Sequence, residues 1–290
     1  MIAAACGAIA PQASAQRFAI KGYDNIGLGN PMSITNAMPG QSSKSSYNAF
    51  GIDFGYTFWR LNAQSLEANI GIGYSMAFAN FSIDDMKYNY AAPATADQDG
   101  LPYQRYYELT NLKQRTNLGY MNVPIYLEYQ YKPLKWLGIH AEVGVGLGFR
   151  ICGSAGSSSG QAYAYGVFPE YNDLMIDASY MDDFGTRPIS GPAAVKPDMK
   201  GFAASVMCGA GFEFYAYEPV SFEVGVRYNA GLTQAFNGRY DITNVSEFTA
   251  ETAPVTYTVA EGTQTKSLAD YTTKSRISPL SLHLGINVRF

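Results

Sequence analysis

Strict two-residue alternation, repeated over strand-length stretches along nearly the whole chain, constrains this sequence more than any other property. In SLHLGINVRF, residues 281–290, Leu282, Leu284, Ile286, Val288 and Phe290 are apolar, while His283, Gly285, Asn287 and Arg289 between them are small, polar or charged. A helix would scatter these residues around its axis; a strand sends them to opposite faces. The same pattern runs through 220–232, where Glu223 and Arg227 oppose Val224 and Val226, and through 202–214, where Glu213 opposes Phe212 and Phe214. In 137–151, His140, Glu142, four glycines and Arg150 lie opposite Ile139, Val143, Val145 and Phe149. It also fills 121–131, 66–78 and 50–58, where Glu128, Glu67 and Asp53 take the polar side. Seven strands are predicted from residue 48 onward. An eighth, near 17–29, is less regular because Asp24 shares the parity of Phe18 and Ile20, and a β-bulge is expected there to restore the pattern.

The connections fall into two kinds. LNAQS, KPLKW and YEP are tight turns, whereas 30–47, 82–117, 153–200 and 233–275 are long and rich in Gly, Ser, Asp, Asn and Tyr. Loops beyond about 15 residues are uncommon in compact soluble domains, yet here they occupy every second connection. Such an arrangement places all tight turns and both termini at one end of an up-and-down sheet, with the long loops at the other.

Two barrels generate this pattern. A soluble lipocalin-like barrel turns its apolar face inward, and a transmembrane barrel turns it outward to lipid. Over at least six strands the apolar face has no Asp, Glu, Lys or Arg, as expected where a basic side chain costs about 2–4 kcal/mol at the bilayer midplane. The opposite face carries Asp53, Glu67, Glu128, Glu142, Glu213 and Glu223 with Arg150, Arg227 and Arg289, among many glycines. Small residues and paired charges suit the narrow interior of eight strands. Tyr56, Phe58, Tyr129, Tyr131, Phe212, Phe214 and Phe290 gather near the tight-turn end, where an interfacial aromatic belt belongs. The predicted fold is therefore all-β: an eight-stranded antiparallel up-and-down transmembrane β-barrel with short periplasmic turns and long extracellular loops.

Composition agrees. Charged residues make up 15% of the 290 and aromatics 14%, with 23 Tyr and 29 Gly; soluble domains carry about 25% charged residues. No stretch approaches the roughly 18 consecutive apolar residues of a spanning helix. The net charge of -4 gives no broad basic footprint, so no nucleic-acid partner is expected. Residues 1–15, ending in Ala13-Ser14-Ala15, read as the back half of a secretory signal peptide cleaved after Ala15, leaving 16–290 as the barrel domain. A lipoprotein reading of Ala4-Ala5-Cys6 ranks below it, because almost no leader precedes the cysteine. The three cysteines, Cys6, Cys152 and Cys208, show no spacing of a disulfide framework or a metal site.

The alternation Leu284, Ile286, Val288, Phe290 resembles the C-terminal assembly signal of Gram-negative outer-membrane β-barrel proteins. FGIDFGYTFWRLNAQSLEANIGIGYSM and YNDLMIDASYMDDFG further resemble the porin-like outer-membrane β-barrel domain family. The resemblance implies outer-membrane lipid around the barrel and the barrel-assembly machinery as a partner of the last strand. It implies little about activity.

Candidate chemistry is sparse. Ser281 and His283 share the lumen face with Glu223 on the neighbouring strand, but residues two apart on a strand are separated by about 7 Å, too far for a nucleophile and its base. His140, beside Glu142, and His283 lack paired ligand spacing. DQDG, 97–100, lacks the remaining calcium ligands and reads as a turn. GIGIG and GVGLG lie inside strands and are not nucleotide fingerprints. No catalytic residue, cofactor or metal is assigned. The six lumen carboxylates against three arginines form either a structural charge network, the favoured reading, or a cation-preferring pore. The loop tyrosines Tyr103, Tyr106, Tyr107, Tyr163, Tyr165, Tyr171 and Tyr180 either form an adhesive surface for an extracellular ligand or protein, or pack the loops on one another, and PEYNDLMIDASYMDDFG is a candidate short helix over the mouth. An interaction protein ranks first, a narrow channel second and a lipid-modifying enzyme third.

Overall fold

The computed structural model describes residues 17–35, 41–89, 95–96, 102–172, 174–176, 185–189, 195–217, 219–240, 256–258 and 272–290. The proposed leader, the DQDG turn and Tyr180 lie outside them. Eight long strands dominate: β1 (Phe18–Leu28), β2 (Gln41–Leu61), β3 (Gln64–Asn89), β4 (Pro102–Leu134), β5 (Leu137–Phe168), β6 (Phe202–Tyr217), β7 (Val220–Gly231) and β8 (Leu280–Arg289). Each pairs antiparallel with its neighbours in sequence, and β1 pairs with β8, so the ring is closed. Closure removes the sheet edges whose unpaired amides and carbonyls have no partners in hydrocarbon. At the seam Phe18 and Phe290 exchange backbone hydrogen bonds of 3.1 and 3.0 Å. Their rings, with Tyr56 beside Phe18, begin the aromatic belt at the tight-turn end.

The turns follow their residues. Asn62, in the two-residue connection between β2 and β3, has φ 53°, a left-handed conformation that Asn tolerates through its short polar side chain. We expect Asn62→Val to cost about 1–2 kcal/mol and Asn62→Gly to cost almost nothing, measured as the shift in urea midpoint of the folded protein.

Around the ring the apolar residues of the alternation face out. Phe54, Ile70, Leu127, Val143, Phe212, Val226 and Ile286 are each about half exposed, while Asp53, Glu67, Glu128, Glu142, Glu213 and Glu223 are buried inside. The expected bulge in β1 is absent. The register of β1 runs without a shift from Ala19 opposite Arg289 to Leu28 opposite Leu280, and equally continuously along β2. Asp24 therefore stands on the outer face between Phe50 and Leu284, with Oδ1 buried and unpartnered. Two neighbours enforce this register: a one-residue slip would carry Lys21, which the interior carboxylates hold, to the outside.

The long connections are not simply loops. β3, β4 and β5 continue well beyond the lipid-facing band, to lengths of 26, 33 and 32 residues. Above residue 76 the two faces of β3 exchange polarity. Ala77, Ala79 and Phe81 point inward and are buried, whereas Asn80 is exposed on the outside. On β4, Leu112 and Leu118 point inward, and Lys113 and Arg115 outward. Apolar atoms therefore fill the upper interior because water, instead of lipid, bathes the wall outside. Into this space folds a four-stranded sheet of 195–199, 236–240, 272–277 and 32–35. Its Phe236 and Met32 form one core with Ala77, Ala79, Phe81, Leu118 and Tyr120. In its described part, the candidate helix over the mouth is a single 3-10 turn, Pro169–Tyr171, followed by a short strand, Leu174–Ile176, on the end of β5; residues 173 and 177–184 of that stretch lie outside the described residues. The hairpin suspected within PVTYTVAEG is, in its described part, one strand, Thr256–Thr258, added to the end of β3.

Candidate functional site

The barrel interior, where the polar residues converge, is built from the inward rows of all eight strands. At its waist three cations are threaded among six carboxylates. Lys21 Nζ lies 2.6 Å from Glu67 and 2.5 Å from Glu128. Arg227 donates Nε and Nη2 to the two oxygens of Glu142 at 2.5 and 2.7 Å. Arg289 donates Nη1 to Glu213 at 2.5 Å, and Ser221 bonds the same oxygen. Asp53 accepts from Tyr126 Oη at 2.7 Å, and Glu223 accepts from Asn287 Nδ2 at 2.5 Å. Such burial is costly unless charges are paired and hydrogen-bonded. Glycines make the room: a Cβ on Gly71 would overlap Asp53 Oδ1, and one on Gly209 would overlap Glu142 Oε1.

Two recesses flank this waist. Toward the tight turns, Arg60, Gln64, Gln130, Lys132, Tyr215 and Arg289 line a polar recess, with Lys132 Nζ 3.6 Å from the Tyr215 ring centre. On the other side lies a chamber walled by Tyr23, Tyr47, Tyr120, Asn122 and Asn229, with Arg227 at its base and Ala235 and Ile277 at its top. Tyr120 Oη, 3.4 Å from the carbonyls of Lys200 and Ala235, ties the wall to the covering sheet.

The sequence-derived candidates are distributed differently. Ser281 is fully buried and donates to the Arg227 carbonyl at 3.0 Å. His283 turns Nδ1 to Asn25 at 2.8 Å and Nε2 toward Glu223 at 3.5 Å. The serine and histidine thus do not form a nucleophile–base pair. Arg150, expected in the lumen, is exposed at the upper rim, where it donates to the Met199 carbonyl. The register shifts beside it, with Tyr120 opposite Arg150 but Gly119 opposite Cys152, so the inward parity of β5 ends there. Lys21 supplies the third interior cation instead, and Arg17 is exposed.

His140 does not act with Glu142, which Arg227 holds. One ligand atom each of Glu128, His140 and Glu223 falls within a 4.8 Å grouping, the one such grouping among the described residues. Lys21 on Glu128 already provides a cation there. Cys152 and Cys208 are free and exposed.

Among the tyrosines of the long connections, Tyr106, Tyr163 and Tyr165 stack in one row on the β4–β5 extension, with centroids 5.4 and 5.6 Å apart. Partial burial and the neighbouring Glu108 push the Tyr165 phenol up to about 12. Tyr103 is buried against Phe168 and Tyr171 is exposed. Strand pairing, not loop packing, organises this row. The upper apolar core escaped the sequence reading; its signal was the exchange of parity at Ala77, Ala79 and Phe81 against Asn80 and Ser82.

A family model described as outer membrane protein beta-barrel domain matches residues 14–237. No curated protein matches the sequence. Among solved structures, Ail, the attachment invasion locus protein of Yersinia pestis, determined with the heparin analogue sucrose octasulfate, is similar at 10% identity and a TM-score of 0.28, covering 95% of this chain and 99% of that one. The translocator domain of the autotransporter NalP from Neisseria meningitidis is similar at 11% identity and 0.26, covering 96% and 90%. The toluene transporter TodX of Pseudomonas putida is similar at 8% identity and 0.21, covering 94% and 90%.

Proposed function

We propose, from the premise that this chain belongs to the outer membrane protein beta-barrel domain family and resides in the outer membrane of a Gram-negative bacterium, that it is an interaction protein. In this reading the tight turns and both termini lie in the periplasm, and the strand extensions stand outside the cell as a platform for an extracellular ligand or protein. Residues 1–15 are its leader. The barrel-assembly machinery reads the last strand through Leu284, Ile286, Val288 and Phe290. The observation that carries the reading is the filled interior. Ion pairs occupy the waist, and the Phe236 core occupies the space above the chamber, so the features available to a partner are on the projecting walls.

A narrow channel is the second reading, favoured by six interior carboxylates against three cations. Eight strands enclose little more than their own side chains, which ranks it lower. An enzymatic role comes third, since Ser281 and His283 each have other partners. The test of the first two is single-channel recording of the purified protein in planar bilayers. We expect no reproducible conductance step; steady, cation-selective steps would establish the channel and displace the interaction reading. Lipid A profiles with and without the gene are expected to be identical.

A further inference from the structure

The interior charges of the waist do not balance, and part of the imbalance gathers at one place. Arg227 answers Glu142 and Arg289 answers Glu213, while Lys21 is shared between Glu67 and Glu128. The remaining two carboxylates, Asp53 and Glu223, accept from Tyr126 and from the Asn287 amide. Burying a charge is costly unless it is paired, so six carboxylates against three basic side chains leave room for a further cation.

Around Glu223 the ligand atoms for one converge. One such atom each of Glu128 on β4, His140 on β5 and Glu223 on β7 lie within 4.8 Å of one another. Nδ1 of His140 is buried with no hydrogen-bond partner among the described residues. His283 on β8 brings a second imidazole. Its Nδ1, 2.8 Å from Asn25 Oδ1, donates there and leaves the lone pair on Nε2, which lies 3.5 Å from Glu223 Oε2. A nitrogen lone pair and a carboxylate so placed favour a cation between them. A proton would serve these two alone, but Glu128 and His140 reach the same space, which suits an ion that makes more than two bonds. The neighbouring strands make the room. Gly211 stands opposite His140 and Gly285 opposite Glu223; a Cβ would lie 2.8 Å from His140 Cε1 at the first and 3.0 Å from Glu223 Oε2 at the second.

We infer that Glu128, His140, Glu223 and His283 form a site for one divalent transition-metal ion, with zinc the apt probe for two imidazoles and two carboxylates. Glu128 already bonds Gln130 and Lys21, but a carboxylate offers about four lone-pair sites, and Lys21 keeps Glu67 at 2.6 Å if it yields Glu128. Metal bonds of about 2.0–2.2 Å draw the ligand atoms together by about 1 Å, a side-chain adjustment. Asn25 is then the outer partner that orients His283. Arg60, Lys132 and Arg289 line the recess on one side of the waist, and Arg227 the chamber on the other. The ion is therefore expected to enter as the strands close and to leave slowly. None of this depends on which way the long connections face.

The test uses the full chain without a histidine tag, in a Cys6→Ser, Cys152→Ser, Cys208→Ser background that removes the thiols as competing ligands. The protein is folded from urea into detergent with zinc and then desalted, and heat-modifiable electrophoretic mobility reports the folding of every variant. Elemental analysis is expected to find one zinc per chain. Asn25→Ala is expected to weaken binding about tenfold, and His140→Gln by more than that. Cobalt in place of zinc should give the visible absorption of nitrogen and oxygen coordination, altered by His283→Gln. Where a variant fails to fold, the parent chain still decides: zinc should raise its urea midpoint in vesicles, and magnesium, which favours oxygen ligands and keeps its waters, should not. No retained zinc, equal retention by folded His140→Gln, a cobalt spectrum indifferent to His283→Gln, or an equal response to magnesium would each overturn the site. The first of these would assign the bridge between His283 and Glu223 to a proton.

Discussion

Replacing Arg227 with Met is expected to destabilise the barrel by about 3–5 kcal/mol, the usual consequence of stripping a buried charge of its partner. Arg227 and Glu142 are both about 3% exposed and joined by two parallel hydrogen bonds. The guanidinium also stands 5.4 Å and 5.2 Å from the ring centres of Tyr23 and Tyr126. Methionine keeps much of the volume but leaves the Glu142 carboxylate with no counter-charge beside it. Glu142→Gln in the same chain removes that unpaired charge. The double variant is expected to recover more than half of the loss, and urea titrations of the four proteins in lipid vesicles would give the coupling directly. Additive losses would show that the pair is not what holds these strands in register. Conductance of Arg227→Met separates the remaining readings: a structural network loosens without opening, while a plugged pore begins to pass ions.

The second large effect concerns the outer wall. Val224→Arg should cost about 2–4 kcal/mol in a bilayer. Val224 is 41% exposed, sits between Phe212 on β6 and Leu284 on β8, and lies near the middle of the apolar band. The control is Ser82→Arg, above the band, where the same side chain meets water and should change stability by less than about 0.5 kcal/mol. A depth-independent result would mean that the wall is not in hydrocarbon at Val224. Both measurements need vesicles, because detergent adapts its thickness to the protein.

How much of this was legible beforehand depended on whether the signal was local. The direction of each spanning strand was, since the repeat of two is written in every segment, and 281–290 alone displays it completely. The tight turns were also local. The position of Asp24 was not, because its exposure to lipid follows from the registers of β2 and β8 on either side. Lys21, Glu67 and Glu128 come from three strands separated by up to 107 positions, so alternation says that each points inward but not that they meet. The same holds for Ser281, whose hydroxyl is claimed by a carbonyl on β7. The sheet within the upper barrel was hidden for another reason: its strands are short and largely polar, and only a few residues, Phe236 and Met32 with Met199 and Ile277, announce a buried face. Long stretches read as loops were partly strands whose alternation had changed sign, which a single hydrophobic criterion scores as noise.

That change of sign has a mechanical consequence. Moving a hairpin along its neighbours by two residues preserves every inward and outward assignment and most backbone pairing, so alternation cannot oppose it. What opposes it is the composition of the outer rows: the slide would drag Asn80 down to the level of Phe78, or lift Phe50 and Met121 to the polar level of Asn48 and Gly119. The chain thus carries a plumb line as well as a compass, and altitude in the wall is set by which solvent each rung was composed for.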